Sequence, residues 1–282
     1  MTPKRLLSDR CFLEAPRWRD GHLYVSDLQA NEVLRVDLEG TVEVIAALDT
    51  PVGLGPLPDG RMLIVAQYER KIMCRMPDGT LLEHADCTAF EDFALNDMTV
   101  DAAGRAFVGR WGYDVIDKTV APANVGLLRV DADGTVTPMH GAVALANGMA
   151  ITADDRVLIV AESAGCRLTA FDISSDGTLS NQRVWAELDI GFPDGICLDT
   201  DGGVWVADMA TDAFVRVVEG GDVTDVVHVE GSRAVACALG GDDGRTLFML
   251  ASPGPMDRAG SRERRPSHID LVRVDVPGCE RP

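Results

Sequence analysis

The chain has no apolar run long enough to cross a bilayer and no Pro/Ser-rich stretch that reads as a linker. Its first residues, MTPKRLLSDRCF, lack the sustained apolar stretch of a secretory signal, so a cytoplasmic protein without a membrane partner is expected. Cysteines number seven (Cys11, Cys74, Cys87, Cys166, Cys197, Cys237, Cys279), an odd count without CxxC spacing, which argues against a secreted disulfide framework and for buried free thiols. Basic residues are scarce: 26 stand against 45 acidic ones, and the formal net charge of −19 disfavours nucleic acid and anionic surfaces as partners. The usual catalytic signatures are missing too, since no GxSxG, no GxGxxG after a strand, no P-loop and no HExxH stands where it would have to.

What the chain does have is a repeat. Six times a short apolar run meets an Asp or Gly turn and is followed by another apolar run: WRDGHLYVSD, LPDGRMLIVAQ, DAAGRAFVGR, TADDRVLIVAE, DTDGGVWVAD and GDDGRTLFMLA. Marking each turn by Gly21, Gly60, Gly104, Asp155, Gly202 and Gly244 gives intervals of 39, 44, 51, 47 and 42 residues. A period of about 40 to 50 residues built of short strands predicts a β-propeller with one four-stranded blade per unit. A second hairpin follows five of the turns, as in EVLRVDLEGTVEVIAAL and GLLRVDADGTVTPMHGAV. A β-sandwich also has short, evenly spaced strands but predicts no two-hairpin period.

The sixth unit offers only DLVRVDV (270–276) before the chain ends, so its outermost strand is expected from Lys4 to Ser8 at the N-terminus, which closes the ring and hides its edges. The expectation is an all-β, six-bladed β-propeller occupying residues 1–282 as a single domain.

The turns also serve as a ruler. Eight residues before each marker is a common position at the channel mouth, with Val52, Asn96, Asn147, Asp194 and Ala236 in blades two to six. In blade one the turn is tighter by a residue and Glu14 lies seven back. Four blades thus present Glu14, Asn96, Asn147 and Asp194 where alternation favours small apolar packing residues. None of the five histidines (His22, His84, His140, His228, His268) takes that position, so a Ser-His triad is not expected. Two carboxylates and two amides offer only oxygen donors, which hard cations prefer: Ca²⁺ first, Mg²⁺ or Mn²⁺ with the same ligands, Zn²⁺ or Fe²⁺ as further options. Channel-filling residues bonded to water or blade backbone are the other reading of the same four.

Glu14 in LEAPRW, Asn96-Asp97 in LNDMTVD, Asn147-Gly148 in ANGMAIT and Asp194-Gly195 in FPDGICLD resemble the motifs of the SMP-30/gluconolactonase/luciferin-regenerating-enzyme family of six-bladed propellers, in order and one per blade. The resemblance implies a divalent cation, often calcium, held by Glu14, Asn147 and Asp194, with Asn96 close by as ligand or substrate contact. It also implies a metal-dependent hydrolase, most naturally a gluconolactonase-like lactonase. Lactone-hydrolysing members commonly carry a sugar-contacting arginine two residues before the first asparagine; here that position is Ala94, and Arg110 on the same face is the candidate replacement.

For the reaction, a small-molecule lactone would meet the cation through its carbonyl, and Asp194 or Asp208 would activate water as general base. The strand ends Asp27, Gln67, Arg110, Glu162, Asp208 and Ser252 form an outer ring of further polar candidates. Two long connections lie on the same face. Arg110 to Asn124 contains Trp111, Tyr113 and Asp114 for aromatic substrate contact, and Ser252 to His268 contains SRERR, which reads as solvated charge; each is either a lid or a surface insertion. Hydrolysis of another electrophile such as an organophosphate, a metal-assisted lyase or isomerase reaction, and a non-catalytic ligand-binding propeller are the competing classes. Oligomeric state is left open.

Overall fold

The six marked turns are where the backbone needs a left-handed residue. Gly21, Gly60, Gly104, Gly202 and Gly244 have φ between +70° and +84°, and Asp155 sits at +56°, a conformation aspartate tolerates better than most side chains. In blade one Asp20 and Gly21 both have positive φ and form a two-residue hairpin turn closed by the Arg19 and His22 pair, which is why that turn is tighter. The computed structural model describes residues 2–114, 121–188, 191–253 and 258–279.

These hairpins assemble into six four-stranded antiparallel sheets. After β1 (Lys4–Arg10), the first blade is β2 (Leu13–Arg19), β3 (His22–Asp27), β4 (Glu32–Val36) and β5 (Val42–Ala47); the second is β6 (Pro51–Pro56), β7 (Met62–Ala66), β8 (Lys71–Arg75) and β9 (Leu81–Asp86). The third is β10 (Leu95–Val100), β11 (Ala106–Arg110), β12 (Leu128–Val130) and β13 (Val136–Pro138); the fourth is β14 (Ala146–Ile151), β15 (Val157–Glu162), β16 (Arg167–Ile173) and β17 (Leu179–Glu187). The fifth is β18 (Pro193–Leu198), β19 (Val204–Asp208), β20 (Ala213–Val217) and β21 (Val223–His228). The sixth has β22 (Arg233–Gly240), β23 (Thr246–Ser252), β24 (Ser267–Arg273) and, outermost, the N-terminal β1.

The fold is therefore a six-bladed β-propeller closed by the N-terminal strand, with β1 longer than the expected Lys4–Ser8 segment. Closure is fixed by β1–β24 pairing and by Arg5 Nε donating to Asp270 Oδ1 at 2.5 Å. Among the described residues no helix is long and apolar enough to cross a membrane, and all seven cysteines are free.

Each blade buries both faces against its neighbours, so the core lies in the seams. Ile159, Ala161, Leu168 and Ala170 of blade four meet Ile196, Val204, Val206 and Val215 of blade five. This explains why the second strands read as continuous apolar runs: every residue of β7 and of β19 is buried, whereas in the outer β9 only Ala85 is buried and the rest are exposed or half-buried. The inner strands β2, β6, β10, β14, β18 and β22 contact one another in sequence around the channel.

Candidate active site

Every inner strand breaks register with its partner just inside the upper mouth. The breaks fall between Glu14 and Arg17, Pro51 and Leu54, Leu95 and Met98, Ala146 and Met149, Pro193 and Ile196, and Ala234 and Ala236. A bulge of this kind bends the strand and re-aims a side chain. Val52, Asn96, Asn147 and Asp194 are the first unpaired residues of their bulges, and Glu14 opens the one in blade one.

Blade six departs from the sequence ruler. Ala234 is the residue equivalent to Asp194, and Ala236 is equivalent to Ile196. Its first hairpin is longer, with eight residues from Ala236 to Gly244 against six from Ile196 to Gly202, so counting back from the turn lands two residues too deep.

The next bulge residue is Gly53, Gly148 or Gly195 in three blades, because inner strands touch there. A Cβ on Gly148 would lie 2.5 Å from Ile196 N, and one on Gly195 would lie 2.5 Å from Ala236 Cβ. Blade three has Asp97 at that register instead. Its Oδ1 accepts Met98 N at 2.8 Å and the Arg17 guanidinium at 2.8 Å, while Arg17 also donates to Met98 O at 2.6 Å and Pro16 O at 2.9 Å. The Arg17–Asp97 pair lies beside the donor set, and reading by repeats alone missed both residues; the signal was an aspartate where the other blades keep glycine.

The four channel-mouth residues differ in how they are held. Asp194 is 1% exposed, and neither carboxylate oxygen has a hydrogen-bond partner. Burial first, and Asp97 second, push its carboxyl well above the usual aspartate range, against the opposing pull of the neighbouring Asn147 amide, which falls short of a full hydrogen bond. Glu14 is shifted the same way by burial and by the Asp194 and Asp97 carboxylates, with Ala15 N and Arg17 pulling in the other direction. Asn96 Nδ2 donates to Ala146 O at 2.9 Å, and Asn147 Nδ2 donates to Ser163 Oγ at 3.2 Å, itself anchored on Pro193 O at 2.6 Å. Tethering each amide nitrogen leaves the amide oxygen as the atom able to serve a ligand.

These observations test the implied cation on this chain's own residues. Two carboxyls, Glu14 and Asp194, held toward the protonated form by burial and the neighbouring Asp97, an aspartate with two orphaned buried oxygens and two amides with tied nitrogens fit a hard, oxygen-seeking cation. Among the described residues no three His, Cys, Asp or Glu side chains gather as a ready-made metal cluster, so the donor set depends on the amides.

The outer ring turns out to be framework. Asp208 Oδ1 accepts Phe192 N at 3.1 Å and Ala210 N at 3.0 Å, and its Oδ2 accepts Thr211 Oγ1 at 2.9 Å. Asp27 accepts Cys11 N and Phe12 N at 3.2 and 2.9 Å, and Glu162 accepts Ala144 N at 2.7 Å together with Arg167 and Thr169. In each case a strand-end side chain pins the loop that leads into the inner strand. Arg110 does the same by donation, to Gly126 O at 2.6 Å and Phe90 O at 2.5 Å. With these partners both Asp208 oxygens already accept hydrogen bonds, and Arg110 is held on loop carbonyls.

Of the long connections, residues 115–120 and 254–257 lie outside the described residues. In the first, Trp111 N donates to Ala94 O at 2.9 Å, and Trp111, Tyr113 and Asp114 are partly buried at the mouth. In the second, the charged residues of SRERR are exposed, as solvated charge should be, and they also make contacts. Residues Arg258–Arg264 form a short helix, α1, from which Arg262 Nε donates to Gln29 O at 2.6 Å and Arg258 reaches Asn31 and Asp49, and just past it Arg265 Nε donates to Asp9 O at 2.6 Å.

A cavity of about 510 Å³ opens at the opposite mouth and is lined by Arg17, Trp18, Arg19, Cys197, Cys237 and Cys279 among others. None of Glu14, Asn96, Asn147 or Asp194 lines it. The bulged, oxygen-rich mouth is chosen on its chemistry and not on the room it offers.

The family model described as the SMP-30/Gluconolactonase/LRE-like region matches residues 12–252. Regucalcin of Danio rerio is 33% identical over 86% of this chain and 84% of its own length. Pentonolactonase XacC of Haloferax volcanii is 27% identical over all of this chain and 97% of its own. Among solved structures, the calcium-binding protein regucalcin of Agrobacterium tumefaciens superposes with a TM-score of 0.79 at 20% identity, covering 97% of this chain and 94% of that one, a likeness of fold. The bulged inner strands, the ordered donor set and these matches together make this chain a member of the SMP-30/gluconolactonase/LRE-like family.

Proposed function

We propose that the protein is a divalent-cation-dependent hydrolase of a small lactone or related cyclic ester. The observation that carries this reading is Asp194, fully buried at the channel mouth with two unpartnered carboxylate oxygens beside Glu14 and Asn147. A buried carboxylate left without donors costs several kcal/mol, so it is retained where a ligand compensates it. The full-length match to a relative named pentonolactonase supports the lactone as substrate class.

Glu14, Asn147 and Asp194 would hold the cation, with Asn96 as a fourth donor or a substrate contact, and Ca²⁺ suits this donor set first. When bound, the cation would polarise the substrate carbonyl and lower the pKa of a water molecule. The chain's own groups orient and transfer protons. Asn96 and Asn147, their nitrogens tied to Ala146 O and Ser163 Oγ, present amide oxygens at the mouth that would serve the cation or accept from a donor on the substrate. Trp111 and Tyr113 give it an organic wall, and Arg110 contributes by holding the loops that carry them. Asp194 accepts the proton of the attacking water at one carboxylate oxygen as the new C–O bond forms. It returns that proton to the ring oxygen as the lactone C–O bond breaks, leaving a hydroxy acid. The Arg17 guanidinium balances Asp97, the carboxylate that acts on both Glu14 and Asp194.

Purified protein assayed by metal analysis and against a lactone panel tests the reading. The expected result is turnover that a chelator abolishes and a divalent cation restores. Turnover indifferent to chelator removes the cation from the mechanism, and a metal-replete protein inert to every lactone removes the substrate class.

A further inference from the structure

The channel mouth is chemically two-sided. Blades one, three, four and five supply Glu14, Asn96, Asn147 and Asp194, whereas blade two has the buried Val52 at the same register. Beside Val52, the corner between blades two and three is aromatic. Tyr68 follows the end of β7, Phe93 precedes β10 and Trp111 follows β11. Tyr68 and Trp111 meet edge to face, with ring centroids 5.9 Å apart at 88°.

Two facts single this corner out. Among the described residues seven large apolar side chains are well exposed, and five of them (Val44, Leu82, Val184, Val223, Val226) belong to the outermost strands β5, β9, β17 and β21, where a blade edge faces solvent. The other two are Tyr68, 48% exposed, and Phe93, 37% exposed, and they share the mouth face with Trp111. An exposed aromatic pair beside a polar site marks a ligand surface more than a packing remainder.

Secondly, three charged residues of this corner, Arg70, Glu91 and Arg110, are engaged on backbone, while Asp114 and Arg258 lie within electrostatic reach of the Tyr68 hydroxyl. Arg70 NH1 donates to Asp92 O at 3.0 Å and Glu91 O at 3.4 Å. Glu91 accepts Phe93 N at 2.8 Å and Gly112 N at 3.2 Å, and Arg110 holds Phe90 O and Gly126 O. This network fixes the three loops that present the rings. Ala94, where a side chain could reach the substrate, has only a buried methyl, and its carbonyl accepts Trp111 N. Two residues of extended chain separate Ala94 from Asn96, roughly 7 Å, the span of one substituent on a ring seated at the donor set.

We propose that Tyr68, Phe93 and Trp111 form a specificity wall for an alkyl or aryl substituent, so that the substrate is an apolar-substituted lactone and not a polyhydroxylated sugar lactone. The proposal rests on the lactonase reading above. Tyr68 and Phe93 lie outside the strands and are each more than a third exposed, so their replacement leaves the fold intact.

Two δ-lactones with alkoxide leaving groups, δ-decalactone and glucono-δ-lactone, test it, each rate divided by its uncatalysed rate. Wild type is expected to favour δ-decalactone. In a Tyr68→Ser/Phe93→Ser double variant the kcat/KM ratio of δ-decalactone to glucono-δ-lactone is expected to fall about tenfold, carried by KM, as loss of one side chain's apolar contact gives. A preference for glucono-δ-lactone, or a ratio the double variant leaves unchanged, overturns the wall while the lactonase reading stands. If neither lactone is hydrolysed the lactonase reading fails, and calorimetry with 3-pentylcyclohexanone, the ketone isostere of δ-decalactone, decides the wall alone. Binding that the double variant loses supports it; no binding, or binding the variant keeps, overturns it.

Discussion

Asp194 and Asp208 lie in one blade, on the paired strands β18 and β19, and each is 1% exposed, yet they are opposites in every other respect. Asp194 belongs to the inner ring and has no hydrogen-bond partner for either oxygen. Asp208 belongs to the outer ring and accepts three hydrogen bonds from the turn and loop around it. Burial and residue type are therefore the same, and partner satisfaction separates a candidate chemical group from a structural one. The same division runs round the molecule: Asp27 and Glu162 behave like Asp208, and Glu14 is strained like Asp194.

The largest expected effect breaks the inner ring. Asp194→Ala should lower turnover by about 10²-fold or more, the range for removing a general base, and abolish the rise in Tm that a divalent cation gives the wild type. Without cation its Tm should equal or exceed that of wild type, because an uncompensated buried carboxylate is gone. A thermal scan with and without cation, beside a lactone assay, reads both. Collapse of the fold with normal turnover per folded molecule would make Asp194 the structural residue and reverse the comparison.

Asp208→Ala is the mirror experiment. It leaves Phe192 N and Ala210 N without an acceptor and should cost about 3 kcal/mol of stability, a drop in Tm of roughly 6 to 12 °C for a chain of this size. Activity per folded molecule should stay within a few-fold of wild type. A loss of turnover comparable to that of Asp194→Ala, in a protein still fully folded at the assay temperature, would return Asp208 to the role of base that the sequence suggested for it.

The contrast also explains what was legible in the chain. Turns that need a left-handed residue announce themselves as Gly21, Gly60, Gly104, Gly202 and Gly244, and a two-hairpin period around them leaves little but a propeller. The missing outer strand of the last unit pointed to the N-terminus, and β1 pairs with β24 there. Glu14, Asn96, Asn147 and Asp194 came from the same ruler because bulges recur at one register. The ruler slipped in blade six, where a longer hairpin puts Ala234 and not Ala236 at the mouth. It was silent on Arg17, whose partner Asp97 is 80 residues away, and it did not foresee that Asp208, Arg110 and Arg262 bond loop groups. A polar strand end looks the same in sequence whether it faces substrate or caps a loop. The deciding partners are backbone groups far along the chain, and sequence periodicity carries no information about those.

The smallest effect comes from trimming the outer ring by one bond. Thr211 is three residues past Asp208, and its Oγ1 is the donor at 2.9 Å to Asp208 Oδ2. Thr211→Val keeps the shape and the β-branch but removes that donor, leaving Oδ2 without it while Oδ1 retains Phe192 N and Ala210 N. The expected cost is about 1 kcal/mol, read as a Tm lower by about 2 to 4 °C, with turnover unchanged. If satisfaction separates the two rings, freeing one oxygen of Asp208 in this way should yield a slightly weaker fold and no new chemistry, because the freed oxygen still faces a turn and not the channel. A gain or loss of turnover in Thr211→Val without a matching change in Tm would show that Asp208 communicates with the inner ring, and the division between framework and site would have to be redrawn through blade five.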